Sequence, residues 1–285
     1  MNPRVSIIIV SWNVKELLRA CLRSIFLFHD FFVVEVIVVD NASSDGSIAM
    51  IEQEFPQVRV LAQEKNIGFS LANNIGARAA KGEYLLILNP DTEFIDKNVL
   101  ALLLLFEQDQ SIAIIGSHLL NADRTLQSSV RRFPQLSDQL AIALKLHHIL
   151  PRMRCLKRYF AQDMDYEKQQ DVDQIMGACM LIKRSVWEQM QGFDAGYFIW
   201  FEEVDFCRRI ANAGYRIVYS PQCSIIHHGG QSFSQVLGYQ KQKWFLSSQR
   251  RYIKKFFPWW AVCIHTLISP ISLIEAWLVY YAKKY

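Results

Sequence analysis

Apolar runs recur along the first half of the chain, and each ends in a cluster of small polar residues. Val5–Val10 is almost wholly β-branched, which predicts a strand buried on both faces. Asn13 and Glu16 then form a capping-box pattern ahead of Leu17, Leu18, Cys21, Leu22 and Ile25, spaced as a helical stripe. Strands are predicted again at Val33–Val39, Val58–Leu61, Tyr84–Leu88, Ile112–Gly116 and Met176–Ile182, with helices at 48–55, 70–80, 100–106 and 184–190. Strand–helix alternation at this spacing implies parallel βαβ units and an α/β fold. Residues 203–213 suit a helix stopped by Gly214, and two short strands, 216–219 and 223–227, close this part. Residues 135–170 suit either a basic amphipathic helix with a loop or a solvated excursion. From about Gln235 to Lys255 one long basic helix is expected. Residues 256–282 then contain no Lys or Arg, and Pro270 is expected to divide them into two short apolar pieces.

Composition narrows the classes. Over 285 residues, 51% hydrophobic and 20% charged positions exclude a disordered chain and allow a large core without staples. The net charge of +4 hides an asymmetry. After Asp205 there are eleven Lys and Arg but one acid, Glu275, so residues 206–285 carry +10 and residues 1–205 carry −6. A basic tail on an acidic body suits a polyanion or an anionic membrane surface. The six cysteines show no C-x-x-C pair or zinc-like spacing, which predicts reduced, mostly buried thiols in a cytosolic protein without a signal peptide.

In open parallel sheets, ligands bind beyond the carboxyl ends of the strands. Three polar segments fall there: Ser11-Trp12-Asn13, Asp40–Ser47 and Asn89-Pro90-Asp91. No G-x-G-x-x-G follows the first strand and no Walker A loop is present, which excludes the usual dinucleotide and P-loop chemistries. Read alone, Asn89-Pro90-Asp91 is a turn or a metal ligand, and Asp40 a helix cap or a ligand contact. His227-His228 follows a short apolar strand and precedes two glycines that permit close backbone approach. Glu202, Glu203 and Asp205 open a helix, where acids also complement the macrodipole.

Six segments in order carry a resemblance: VSIIIVSWN (5–13), VVDNASSDGS (38–47), NIGFSLANNIGARAAKGEYLLILNPDTEF (66–94), GACMLIKR (177–184), GFDAGYFIWFEEVDFCRRIANAGYRIVYSP (192–221) and IIHHGGQSF (225–233). Over residues 4–235 the chain resembles glycosyltransferase family 2, in the branch of rhamnosyltransferases of bacterial cell-surface polysaccharides. The resemblance implies a GT-A fold, Rossmann-like with a mostly parallel sheet flanked by helices. It also implies a nucleoside-diphosphate sugar donor, a divalent metal (Mg²⁺ or Mn²⁺) and inversion at the anomeric carbon. It assigns Asp91 and His227 to the metal, with Asn89 in place of the motif's first acid. It assigns Ser11, Trp12, Asn13, Asp40, Asn41, Asn66, Asn73, Asn89 and Asp91 to the nucleotide sugar. Asn41 stands where many uracil-binding relatives carry an acid, which fits a thymidine donor better than a uridine one. Of the acidic pair Glu202 and Glu203, the second is the implied general base. Arg131, Arg132 and Trp200 are expected near the acceptor or a diphosphate.

The expected organisation is a catalytic domain, 1–235, and a basic and apolar tail, 236–285, that associates with a membrane. The implied enzyme works at the cytoplasmic face of the bacterial inner membrane on a lipid-linked or glycan acceptor, with no nucleic-acid partner. Two alternatives follow from the same residues. Asn89 and Glu203 suit a non-catalytic scaffold on a degenerate transferase fold. Gln240-x-x-Lys243-Trp244 is one residue from the Q-x-x-R-W motif of processive synthases, but a single apolar tail segment cannot form a translocation channel.

Overall fold

The computed structural model describes residues 4–28, 34–96, 98–230 and 235–282. Val33, expected to open the second strand, and the terminal Lys283, Lys284 and Tyr285 lie outside them. The elements begin β1 (Val5–Ser11), α1 (Lys15–Phe28), β2 (Val34–Asp40), α2 (Ser47–Glu54), β3 (Arg59–Ala62), α3 (Phe69–Ala79), β4 (Tyr84–Leu88), β5 (Thr92–Phe94), α4 (Val99–Gln108) and β6 (Ile112–Leu120). An excursion follows: β7 (Val130–Arg131), α5 (Leu136–Ala143), α6 (Leu146–Ile149), α7 (Arg154–Tyr159), β8 (Gln170–Asp171) and β9 (Gln174–Ile175). The chain then returns through β10 (Cys179–Lys183), α8 (Arg184–Gln189), α9 (Glu202–Asn212) and β11 (Arg216–His227). It ends in α10 (Gly238–Phe256) and α11 (Trp259–Ala282).

The main sheet has the order β3-β2-β1-β4-β10-β6-β11-β5, with β8 on β11. β3, β2, β1 and β4 are parallel, as the alternation predicts. β10 is antiparallel to both neighbours, because the chain re-enters the sheet between β4 and β6 from the end of the excursion. The two strands expected at 216–227 are one strand, β11, whose register against β6 shifts between Tyr219 and Ser224, around Pro221.

Every residue of β1 is buried. Ile7 and Ile9 pack into one core with Leu18, Leu22 and Ile25 of α1, and Ile8 packs into a second core with Phe206 and Ile210 of α9. The alternation of side chains thus builds one core on each face, as a doubly covered parallel sheet requires.

The start of α1 departs from expectation. Asn13 lies at φ 51°, in the left-handed region, and its Oδ1 accepts from Ser44 N at 2.7 Å. The Lys15 N–H at the head of α1 donates instead to Asp45 Oδ2 at 2.8 Å. The cap therefore comes from the β2–α2 loop, and Asn13 ties that loop to the end of β1.

The tail packs against the body. Tyr252 of α10 is buried among Tyr197, Phe201 and Val204. Ser248 Oγ donates to Ile199 O at 2.7 Å, and Lys255 pairs with both Asp194 and Asp205. Pro270 does not divide α11, which runs unbroken through it. Contacts on both sides of the proline anchor the helix to the body. His265 Nε2 lies 2.9 Å from Gln249 Oε1 of α10, and Ser272 Oγ donates to Ala143 O at the end of α5.

Candidate active site

A cleft opens beyond the carboxyl ends of β1, β2 and β4, on either side of β1, where the strand order reverses. Trp12, Asn41 and Asp91 line it from the three strand ends. Its opposite wall is Phe69 at the head of α3, Phe198 and Trp244 of α10. The Phe198 and Trp244 rings stand 4.8 Å apart, tilted by 36°. Gly68 is required where the walls meet: its φ is +84°, and a Cβ there would lie 2.4 Å from Phe198 O.

At the β1 and β2 ends, Ser11 and Asp40 are register partners, and both are fully buried. Asp40 Oδ2 accepts from Ser43 N at 2.8 Å, while Asp40 Oδ1 and Ser11 Oγ make no hydrogen bond. A buried carboxylate oxygen and hydroxyl left without partners are costly unless a ligand completes them. Asn41 Nδ2 donates to Gly68 O at 3.2 Å, and Asn66 Oδ1 accepts from Gly68 N at 2.9 Å, so both shape the loop and face the cleft. Asn73 is placed differently. It is buried within α3 with Nδ2 bonded to Phe69 O, behind the residues that line the cleft.

At the β4 end, Asp91 Oδ1 lies 3.4 Å from His227 Nε2, and both residues are buried. Asn89 Nδ2 is 3.3 Å from the same nitrogen. The other ring nitrogen, Nδ1, sits 2.6 Å from Gln127 Oε1. Because the Gln127 oxygen can only accept, Nδ1 carries the proton, and the Nε2 lone pair is left facing the Asp91 carboxylate. Two acceptors at this separation suit neighbouring positions around a cation, which lie about 3 Å apart for bonds of about 2.1 Å. Among the described residues no group of three or more His, Cys, Asp or Glu is assembled. The pair therefore fits a metal whose other positions are filled by ligand oxygens. His228 points elsewhere, with Nε2 2.7 Å from Glu93 Oε1 on β5.

The acidic pair stands at the head of α9. Trp200 and Phe201 precede it at φ 63° and 68°, an unfavourable conformation for two bulky residues in succession. Strain of about 1–3 kcal/mol each is offset by packing. Trp200 and Phe201 lie against Phe245, and Phe201 also against Tyr252, both rings from α10. The bend aims Glu202 and Glu203 in different directions. Glu202 is buried, 3.5 Å from Ser70 Oγ, and burial, followed by the neighbouring Glu203, holds its carboxyl well above the usual range. Glu203 lies toward Gly177 and Phe69: a methyl added to Gly177 would meet the Glu203 Cβ and the Phe69 ring, each at 3.7 Å. Its Oε2 is buried without a hydrogen bond, and burial pushes its pKa up to about 7. Asp205, on a third side, is fixed by Arg209, Tyr197 and Lys255.

The three residues expected near the acceptor or a diphosphate fall outside the cleft lining. Arg131 donates to Ser128 O and Val130 O and lies over the Phe160 ring. Arg132 pairs with Asp163 at the surface. Trp200 packs on Phe245, behind the acids it precedes. Two residues that sequence reasoning passed over join the site. Trp244 comes from the near-miss motif on α10, a usable signal. Gln127 sits in an irregular loop and has none.

A mixed sheet flanked by helices, with a parallel run β3-β2-β1-β4 whose strand ends carry the cleft, is a GT-A-like fold. The chain belongs to glycosyl transferase family 2, whose profile matches residues 6–190, and residues 152–282 match glycosyl transferase family group 2. It is 28% identical over 214 residues to N-acetylglucosaminyl-diphospho-decaprenol L-rhamnosyltransferase of Mycobacterium tuberculosis, covering 70% of this chain and 68% of that protein. It is 27% identical over 262 residues to rhamnosyltransferase WbbL of Escherichia coli K12, covering 88% and 93%. Among solved structures, mannosyltransferase PcManGT of Pyrobaculum calidifontis, in complex with GDP-Man and Mn²⁺, superimposes with a TM-score of 0.59 at 17% identity, over 97% of this chain and 73% of that one. The protein is a rhamnosyltransferase-like glycosyltransferase.

Proposed function

We propose that the protein is an inverting, metal-dependent transferase. It moves a deoxyhexose, rhamnose by the names of its relatives, from a nucleoside-diphosphate sugar to a hydroxyl of a lipid-linked acceptor at the cytoplasmic face of a bacterial membrane. One observation carries the reading: Asp91, paired with His227, lines a cleft that Phe69 also lines, and the raised, unbonded carboxyl of Glu203 meets Phe69 at Gly177.

Asp40 Oδ1 and Ser11 Oγ receive polar groups of the nucleoside, and Asn41 and Asn66 shape the loop beneath it. Asp91 and His227 would hold a divalent cation, which neutralises charge on the departing diphosphate. Gln127 keeps His227 in the tautomer that presents Nε2. Glu203 accepts the acceptor hydroxyl's proton as that oxygen bonds to the anomeric carbon. The bond from that carbon to the diphosphate oxygen breaks on the opposite face and its electron pair leaves with the nucleotide, so the configuration inverts. Burial and the neighbouring Glu203 raise the Glu202 carboxyl well above its usual range, which disfavours a second charge beside Glu203. The outward face of α11 rests on the membrane: Trp260, Cys263, Leu267, Ile271, Ile274 and Leu278 are exposed in one line, and Leu267 is 76% exposed. Ala261, His265, Ser272 and Ala276 on the other side are buried, which favours a helix lying in the interface over one crossing it.

The test is transfer by the purified full chain to N-acetylglucosaminyl-diphospho-polyprenol in detergent with Mn²⁺ or Mg²⁺, against thymidine- and uridine-diphospho sugars. The expected product carries the anomeric configuration opposite to the donor's. Retention of configuration, or full turnover in excess chelator, would overturn the corresponding part of the reading.

A further inference from the structure

The excursion between β6 and β10 holds a second patch of the kind α11 presents. Between Asp138 and Asp163 the chain has five Lys and Arg and no acid. Both flanking acids are already used, Asp138 by Arg158 and Asp163 by Arg132. Lys145, Arg152, Arg154 and Lys157 make no ion pair among the described residues. At the tip between α6 and α7, Ile149 is 73% exposed and Leu150 52%. Exposed neighbouring aliphatics ringed by unpaired cations are costly in water and suited to an anionic lipid interface, where side chains enter below the headgroups and cations meet the phosphates.

The patch is tied to α11. Ser272, in the middle of that helix, donates to Ala143 O at the last residue of α5, and Lys145, two residues on, stands just before α6. Six residues separate Ala143 from Ile149, so the tip lies within about 20 Å of α11 even for a fully extended chain. We propose that residues 145–157 are a second membrane-docking element, which binds anionic phospholipid through Ile149, Leu150, Arg152, Arg154 and Lys157. The proposal rests on the reading of α11 as an interfacial helix. Together the two elements fix the molecule's orientation: one helix leaves rotation about its axis free, and a second contact to its side removes it.

The experiment is sedimentation of the full chain with vesicles of phosphatidylglycerol and phosphatidylcholine, and with phosphatidylcholine alone. One variant is Arg152→Gln/Arg154→Gln/Lys157→Gln and another Ile149→Ser/Leu150→Ser, both on exposed side chains. A cation near an anionic surface contributes about fivefold to binding, so the triple change should weaken it about a hundredfold on anionic vesicles and little on neutral ones. The double change should weaken both. Donor binding in lipid-free buffer should be unaltered in each. If both variants sediment like the unsubstituted chain while substitutions along α11 release it, the inference is wrong and the α11 reading stands. If the unsubstituted chain fails to bind anionic vesicles, both fall. Dimerisation in lipid-free buffer that these substitutions abolish would assign the patch to a second copy and overturn the inference.

Discussion

In the proposed mechanism, Glu203 is the residue on which the chemistry turns. As a base it must be ionised, and burial places its pKa at about 7. A raised carboxyl is protonated below that value, so kcat should rise through about pH 7 and level above it. Glu203→Gln keeps the shape and removes the base. It should lower kcat by about 10²–10⁴-fold, abolish the rising limb and leave donor affinity near normal. A variant with normal turnover would remove Glu203 from the mechanism. The metal assignment is tested one residue at a time. His227→Ala should weaken Mn²⁺-dependent donor binding in calorimetry far more than His228→Ala, because His228 is engaged with Glu93. Gln127→Leu should fall between them, about 10–100-fold in metal affinity, since it leaves the ligand and frees its tautomer. Equal losses at the two histidines would contradict the geometry. Asp91, His227 and Glu203 stand out as candidates in the sequence because each sits in a short motif at the end of one element. Gln127 does not, because it reaches the histidine from 100 positions away in an irregular loop.

Among the elements, α10 matters most to the site although it lies last but one in the chain. Its Tyr252 and Phe245 pack on the strained bend at Trp200 and Phe201, Lys255 holds Asp205, and Trp244 walls the cleft. Burial alone would raise the Asp194 carboxyl, yet Arg251 and Lys255 hold it well below the usual carboxylate range. Tyr252→Ala should cost about 3–5 kcal/mol of stability, as for other buried aromatics. Lys255→Met should cost less stability but lower kcat more than it changes the donor Kd, because it loosens the first turn of α9. Equilibrium unfolding and steady-state kinetics separate the two effects, and a Lys255→Met enzyme with unchanged kcat would show that the bend does not depend on α10. The periodic elements α1, α3, β1, β2 and β4 follow from sequence because local pattern and burial agree in them. The antiparallel entry of β10 and the continuity of α11 through Pro270 do not, because long-range pairing and packing decide both.

At the scale of the molecule, the charge asymmetry takes on a different meaning once α10 is seen in place. The +10 of residues 206–285 reads in sequence as a basic tail on an acidic body. In the fold, Arg209, Arg216, Arg251 and Lys255 are spent on acids of the body, so part of that charge is structural. The outward face of α11 remains for the proposed membrane contact. It follows that removal of 236–285 should not give a soluble, donor-binding core. It would strip Trp244 from the cleft and expose Tyr197, Phe201 and Val204, and the product should aggregate. Substituting only the outward line, Leu267→Gln/Ile271→Gln/Ile274→Gln, leaves the buried face of α11 intact. Each exposed aliphatic side chain transferred from water is worth about 1.5–3 kcal/mol, so the triple change should release the protein from membranes in fractionation at low salt while Tm and donor binding stay unchanged. A truncated chain that is soluble and binds donor normally would show that α10 is dispensable. A triple variant that stays with the membrane in high salt would show that this face of α11 is not what holds it.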